Sequence, residues 1–201
     1  ELHGGDGNDT LSGGLGGDTL FGEKHEDRLI GGQGTNVLDG GTHHDRYVFT
    51  QGSGATDTIR EDPSQVSGGL TIIGGADILD FAAFTIPVTV NLSTPAAQTP
   101  ATGLSLIMER ANASSNSDHF EVILGSGTAA NNLTGNLADN SLVGGTANDT
   151  LTGGAGDDTL TGNAGNDRLF GEADDDVLIY DPADVTTVDG GTGSDTLLFT
   201  G

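Results

Sequence analysis

The large apolar side chains of this chain recur every ninth residue over two long stretches. Residues 4–12 read GGDGNDTLS, and GGLGGDTLF (13–21), GEKHEDRLI (22–30), GGQGTNVLD (31–39) and GGTHHDRYV (40–48) follow in phase. A second run comprises SGTAANNLT (126–134), GNLADNSLV (135–143), GGTANDTLT (144–152), GGAGDDTLT (153–161), GNAGNDRLF (162–170) and GEADDDVLI (171–179). One extra residue, Tyr180, precedes DPADVTTVD (181–189) and GGTGSDTLL (190–198). Position eight holds Leu11, Leu20, Leu29, Leu38 and Tyr47, then Leu133, Leu142, Leu151, Leu160, Leu169 and Leu178. The first six residues of each nonad are rich in Gly, Asn and Asp, which suit a tight turn with positive φ angles. The last three, such as Thr10-Leu11-Ser12, predict a short strand whose middle side chain points inward. Two nonads then close one flattened coil, and coils stack into parallel sheets at about 4.8 Å per step. The fold class expected is all-β.

Composition sharpens this picture. Of 201 residues 35 are glycine, aromatics are 4 %, and there is neither Cys nor Trp. A conventional globular core needs more large apolar side chains than that, and no disulfide or thiolate chemistry is open to the chain. The net charge is −24, the wrong sign for a nucleic-acid partner. No apolar run reaches the ~18 residues of a membrane span. Two readings survive these limits, a disordered acidic polymer and a repeat fold completed by cations. Position six decides between them. It carries Asp9, Asp18, Asp27, Asn36 and Asp45, then Asn131, Asn140, Asp149, Asp158, Asp167 and Asp176, and Asp195 after the offset. Disorder has no reason to hold a carboxylate row and an apolar row in fixed phase.

Carboxylates stacked two nonads apart repel. At ~4 Å and an effective dielectric of ~20 a like-charged pair costs about 4 kcal/mol, so the empty fold opposes itself. A hard divalent cation reverses that sign, and carboxylates with turn carbonyls make an all-oxygen site suited to Ca²⁺.

Segments 4–12, 13–21, 153–161 and 190–198 all match GGxGxDxUx, and on these motifs the chain resembles the RTX (repeats-in-toxin) calcium-binding family. The resemblance implies a parallel β-roll, a right-handed β-solenoid, with each Ca²⁺ between turns n and n+2. Its ligands would be position-six side chains and carbonyls of turn glycines, here Gly5, Gly7, Gly14, Gly16, Gly154, Gly156 and Gly165. The implied pairs are Asp9/Asp27, Asp27/Asp45, Asp18/Asn36, Asp149/Asp167, Asp158/Asp176 and Asp176/Asp195. Asn131/Asp149 and Asn140/Asp158 lose a charge, which predicts weak or empty sites. Proteins of this kind leave the cell by type I secretion. The resemblance therefore implies a secreted or cell-surface module of a longer protein, with the secretion apparatus as partner. Glu1-Leu2-His3 fit positions seven to nine of a preceding nonad, as expected of a segment cut from a longer array.

Position four departs from Gly at His25, His43, Ala129, Ala138, Ala147 and Asp174. His and Asp tolerate the left-handed backbone better than most residues and fit the turn. The alanines do not, so turns 126–152 are expected to differ from standard calcium turns.

The expected organisation is a first block (1–60), an irregular middle (61–125) and a second block (126–201). Within GSGATDTIR (52–60), Asp57 and Ile59 keep their places after a three-residue insertion, and GGADILD (74–80) reads as a shortened repeat. Alternation of Ile86, Val88, Val90 and Leu92 predicts a strand over 85–92, and residues 104–111 suggest a short helix. The middle reads as an irregular stretch of one continuous solenoid, with a separate small β domain as the alternative.

Catalytic patterns are absent. There is no HExxH and no GxSxG, and the nonad spacing of the carboxylates is already explained by calcium. The module is therefore expected not to be an enzyme. An adhesive role, with a cell-surface or glycan ligand, is the alternative function. An ice-binding face is rejected, because position three reads Asp6, Leu15, Lys24, Gln33 and Thr42. His25 and His43 should stack, with His44 alongside, and imidazoles are Zn²⁺ or Ni²⁺ ligands. The preferred reading makes His25 and His43 glycine substitutes in turns. Phe21, Phe49, Phe170 and Phe199 are expected to cover sheet edges or coil ends.

Overall fold

Leu2 pairs with Leu20 and Leu20 with Leu38, while Leu11 pairs with Leu29 and Leu29 with Tyr47. Partners thus lie two nonads apart, and alternate nonads feed two different sheets. The computed structural model describes residues 1–51, 55–60, 66–67, 70–71, 77–93, 98–101, 104–109, 120–181 and 187–200. Every regular element among them is a β-strand. They divide into two compact units, Glu1–Asp80 with Pro95–Ser115, and Phe81–Thr94 with Asn116–Gly201.

In the first unit one sheet runs Leu2–Asp6, Thr19–Lys24, Thr35–Thr42, Ala55–Arg60 and Leu104–Glu109, all parallel. Gln98–Ala101 closes it antiparallel. The other sheet runs Thr10–Ser12, Arg28–Ile30, Arg46–Val48 and Asp77–Asp80, all parallel. Val66–Ser67 and Leu70–Thr71 form a small antiparallel pair. In the second unit Val88–Asn91, Asn131–Thr134, Thr150–Ala155, Arg168–Ala173 and Thr187–Thr192 make one parallel sheet. Phe120–Leu124, Ser141–Val143, Thr159–Thr161, Val177–Tyr180 and Thr196–Phe199 make the other. This is the expected parallel β-solenoid.

The position-eight row is the core. Leu20, Leu29, Leu38, Leu133, Leu142, Leu151, Leu160, Leu169 and Leu178 are all fully buried. Tyr47 joins the ladder because its hydroxyl accepts the Gly40 N–H at 2.7 Å, so a buried phenol keeps a partner. Both irregularities keep register. Leu38 pairs with Ile59 across the three-residue insertion, and Leu178 pairs with Leu197 across the Tyr180 offset. The shortened repeat likewise places Leu79 against Tyr47.

Two expectations are corrected. Residues 104–109 form a strand, not a helix, because Ala55–Arg60 offers an open parallel edge for six consecutive pairings. That tertiary partner overrides a short local pattern. The strand expected over 85–92 begins only at Val88, since Pro87 has no N–H to give a ladder. Its alternation is otherwise as expected, with Val88, Val90 and Leu92 buried. Of the phenylalanines, Phe49 is core at 2 % exposure, Phe21 stacks on His3, and Phe199 lies exposed against Tyr180.

Candidate metal sites between successive coils

The turn backbone sets the site. Positions two and four adopt positive φ at Gly5, Gly7, Gly14, Gly16, Gly154, Gly156 and at Gly165. At position four His25 (φ 76), His43 (φ 86) and Asp174 (φ 77) keep the same conformation without glycine. The two histidine rings stack 5.4 Å apart at 10°, with Nδ1 of His43 beside the Thr42 carbonyl at 2.8 Å. Parallel rings send their nitrogen lone pairs side by side, not toward one point, which suits the glycine-substitute reading.

The turn aims the position-six side chain across to the preceding coil. Oδ1 of Asp27 accepts the Asp9 N–H at 2.7 Å, and Oδ1 of Asp45 accepts the Asp27 N–H at 2.7 Å. Asp77, from the shortened repeat, accepts the Asp45 N–H at 2.7 Å. In the second unit Asp167 accepts from Asp149 at 2.9 Å, Asp176 from Asp158 at 2.9 Å, and Asp195 from Asp176 at 3.1 Å. Each implied pair is therefore brought together, Asp18/Asn36 included at 3.1 Å.

The second oxygen defines the opportunity. Oδ2 of Asp9, Asp18, Asp27, Asp45, Asp158 and Asp176 is buried without a hydrogen bond. A buried unsatisfied carboxylate oxygen is costly, and several in a row call for a cation. Sequence reasoning missed the other half of the cradle. Position-one glycines do not adopt positive φ; they are needed because a carboxylate leans on them. A Cβ on Gly22 would meet both Asp27 Oδ2 and the Gly40 carbonyl at 2.5 Å. Carboxylate and carbonyl oxygens of successive coils thus converge beside the position-one Cα. The Gly14 carbonyl, one of the implied ligands, here accepts the Gln33 N–H at 2.7 Å. Gly22→Ala should consequently cost about 1–3 kcal/mol, as an overpacked core does, and weaken calcium binding. Calorimetric titration of calcium into this variant checks it.

Burial and like charge push these acids up. Burial first, then the neighbouring Asp27 charge, raises Asp45 to about 7. Burial and the Asp176 charge raise Asp158 to about 7. Burial raises Asp57 to about 6 against a hydrogen bond from Asn36 that lowers it. Asp27, Asp149 and Asp176 also shift upward, each mainly through burial.

Among the described residues no group of three or more His, Cys, Asp and Glu side chains is placed to hold a metal ion. The donors are instead one carboxylate per coil plus backbone carbonyls. That set is poor for Zn²⁺ and suited to a large, oxygen-seeking ion.

The model of the RTX calcium-binding nonapeptide repeat matches four times, at residues 3–38, 21–54, 126–159 and 143–178, which together exceed half the chain. The chain belongs to the RTX calcium-binding repeat family. RTX nonapeptide repeats bind several calcium ions per array, and this roll is in itself a structural calcium-binding module, not a catalytic one. A search of curated proteins found no match. No helix among the described residues is long and apolar enough to cross a membrane.

Not all turns of this RTX roll are alike. In turns 126–152, positions two and four hold no positive φ, as the alanines predict. There the position-six side chain curls back on its own turn. Ser126 N–H donates to Asn131 Oδ1 at 2.8 Å, Asn136 N–H to Asn140 Oδ1 at 2.8 Å, and Gly145 N–H to Asp149 Oδ2 at 2.6 Å. Asp149 thus differs from Asp9, Asp18, Asp27, Asp45, Asp158 and Asp176, because the oxygen left bare in them is satisfied here.

Proposed function

We propose that this calcium-binding module is the folding switch of a secreted protein: an expanded acidic chain inside the cell that closes into a roll in calcium-rich surroundings. The row of buried, unpartnered Oδ2 atoms carries this reading, since the empty roll holds charges that only a cation relieves. Extracellular calcium modules bind at about 10⁻⁴–10⁻³ M, a range that leaves them empty in the cytosol and filled outside. Binding free energy then becomes folding free energy. The ions would sit at Asp9/Asp27, Asp27/Asp45, Asp18/Asn36, Asp158/Asp176 and Asp176/Asp195, closed by turn carbonyls. Asp149/Asp167 would be the weakest of the implied pairs, given the bond from Gly145 to Asp149. An unfolded, calcium-free chain suits passage through a type I channel.

Small-angle scattering tests the switch. A 201-residue chain should have a radius of gyration of about 40–50 Å when expanded, falling by about half or more once folded. Equal radii in EDTA and in millimolar calcium would rule the switch out.

A further inference from the structure

Asparagine at position six does more than weaken a calcium site. Nδ2 of Asn131 donates to Asp149 Oδ1 at 2.8 Å and to the Ser126 carbonyl at 3.1 Å. It joins a position-six carboxylate on the next coil to a turn carbonyl, the two kinds of oxygen a calcium ion would join. Nδ2 of Asn36 likewise donates to a carboxylate, Asp57 Oδ1, at 2.7 Å. The amide hydrogens stand where the cation's charge would be.

In the second unit the position-six side chain is satisfied from within its own turn over three consecutive turns. Asn131, Asn140 and Asp149 all receive an N–H from their own turn, and none of their oxygens is left bare. Asn136 Nδ2 is a buried unpartnered atom in this stretch, but it is a donor and invites no cation. Ser126, fully buried, ties the turn together. Its hydroxyl donates to the Phe84 carbonyl at 2.7 Å and accepts the Ala129 N–H at 3.1 Å.

The packing beneath is also richer than the leucine ladder. Phe81 and Phe84 meet edge to face at 5.7 Å, both buried. Val88, Val90 and Leu92 are buried with them, as are Ile123, Leu133 and Leu142. Backbone bonds from Phe81 N–H to Leu124 and from Leu92 N–H to Thr134 lock residues 81–92 to these coils, at 2.8 and 2.9 Å.

We propose that residues 120–152, with residues 81–92 packed on them, are a calcium-independent folding nucleus on which the calcium-dependent turns of the second unit are templated. It presents two formed parallel edges, Ser141–Val143 for Thr159–Thr161 and Thr150–Ala155 for Arg168–Ala173, so the first calcium-dependent coil need not nucleate alone. The proposal rests on the reading that the other turns require calcium.

Hydrogen exchange on the whole chain, in EDTA and in calcium, tests both. In EDTA the amides of Leu92, Gly125 and Gly135, whose acceptors Thr134, Val143 and Thr152 lie inside the nucleus, should stay protected while those of Leu11, Leu29, Leu169 and Leu178 exchange freely. Calcium should protect them all. Free exchange everywhere in EDTA, with full protection in calcium, overturns the nucleus and leaves the switch standing. Full protection in EDTA overturns the switch, and the distinction with it. Asn131→Asp sets a carboxylate against Asp149 and the Ser126 carbonyl, and should cut protection in EDTA by roughly tenfold or more. Retained protection at Leu169 and Leu178 in calcium shows that the variant still folds. Unchanged EDTA protection in this variant would overturn the amide's role as the cation's substitute.

Discussion

Asp27→Ala should remove two calcium ions and loosen the first block, whereas Asp139→Ala should remove none. Asp27 lies midway in a stack, accepting the Asp9 N–H and donating its own N–H to Asp45, each at 2.7 Å. It is 3 % exposed and its Oδ2 is bare, so it faces one prospective ion with Asp9 and another with Asp45. Each lost ion withdraws RT ln(1 + [L]/Kd), about 1.4 kcal/mol at tenfold saturation. The stranded Asp9 N–H adds about 1–3 kcal/mol. Asp139 carries the same formal charge at position five. The repeat register suggests that it faces away from any shared turn, but its Oδ1 accepts the Asp157 N–H at 2.9 Å. That bond is exposed, so its loss costs about 0.5–1 kcal/mol and no ion. Calcium stoichiometry and midpoint at matched salt distinguish the two, and equal effects would mean that diffuse charge governs binding.

Acid should act with opposite sign on the two states of the roll. In the metal-free fold Asp45 and Asp158 titrate near 7 and Asp57 near 6, against an ordinary value of 3.8. Between about pH 4 and 7 the folded form therefore binds more protons than the unfolded chain. Its stability rises as the pH falls through that window, and each tenfold gain in a carboxylate's proton affinity on folding is worth about 1.4 kcal/mol. The penalty is complete above the folded values and gone below the unfolded ones. The calcium-loaded roll behaves the other way, since its ligands must be ionised and protons displace the metal. Lowering the pH from about 7.5 to about 5 should raise β content in EDTA and weaken calcium affinity. Movement of both in the same direction would show that these carboxylates do not hold the metal.

Much of this was legible because a nine-residue period leaves little freedom. Once Leu11, Leu20 and Leu29 share position eight, the coil must hold two nonads, and Asp9 must fall over Asp27. The same logic carried Asp57 and Ile59 through an insertion and Asp195 past Tyr180. What escaped was contact that no period encodes. Gly22 reads as a turn glycine, yet its role is to admit the Asp27 carboxylate beside the Gly40 carbonyl. Ala129, Ala138 and Ala147 flagged aberrant turns, but not that Asn131, Asn140 and Asp149 would bond within them. Residues 104–109 look helical in isolation because the partner that makes them a strand, Ala55–Arg60, lies far away in sequence.

Far-ultraviolet circular dichroism of the whole chain, moved from EDTA into millimolar calcium, bears most directly on the claim that cations between coils hold this roll. Mg²⁺ serves as the control, because it dehydrates reluctantly and prefers a smaller octahedral cage. Calcium should raise the β signal steeply and cooperatively, since each ion joins neighbouring coils, and Mg²⁺ at the same concentration should not. A β spectrum of full strength in EDTA, unchanged by calcium, would contradict it.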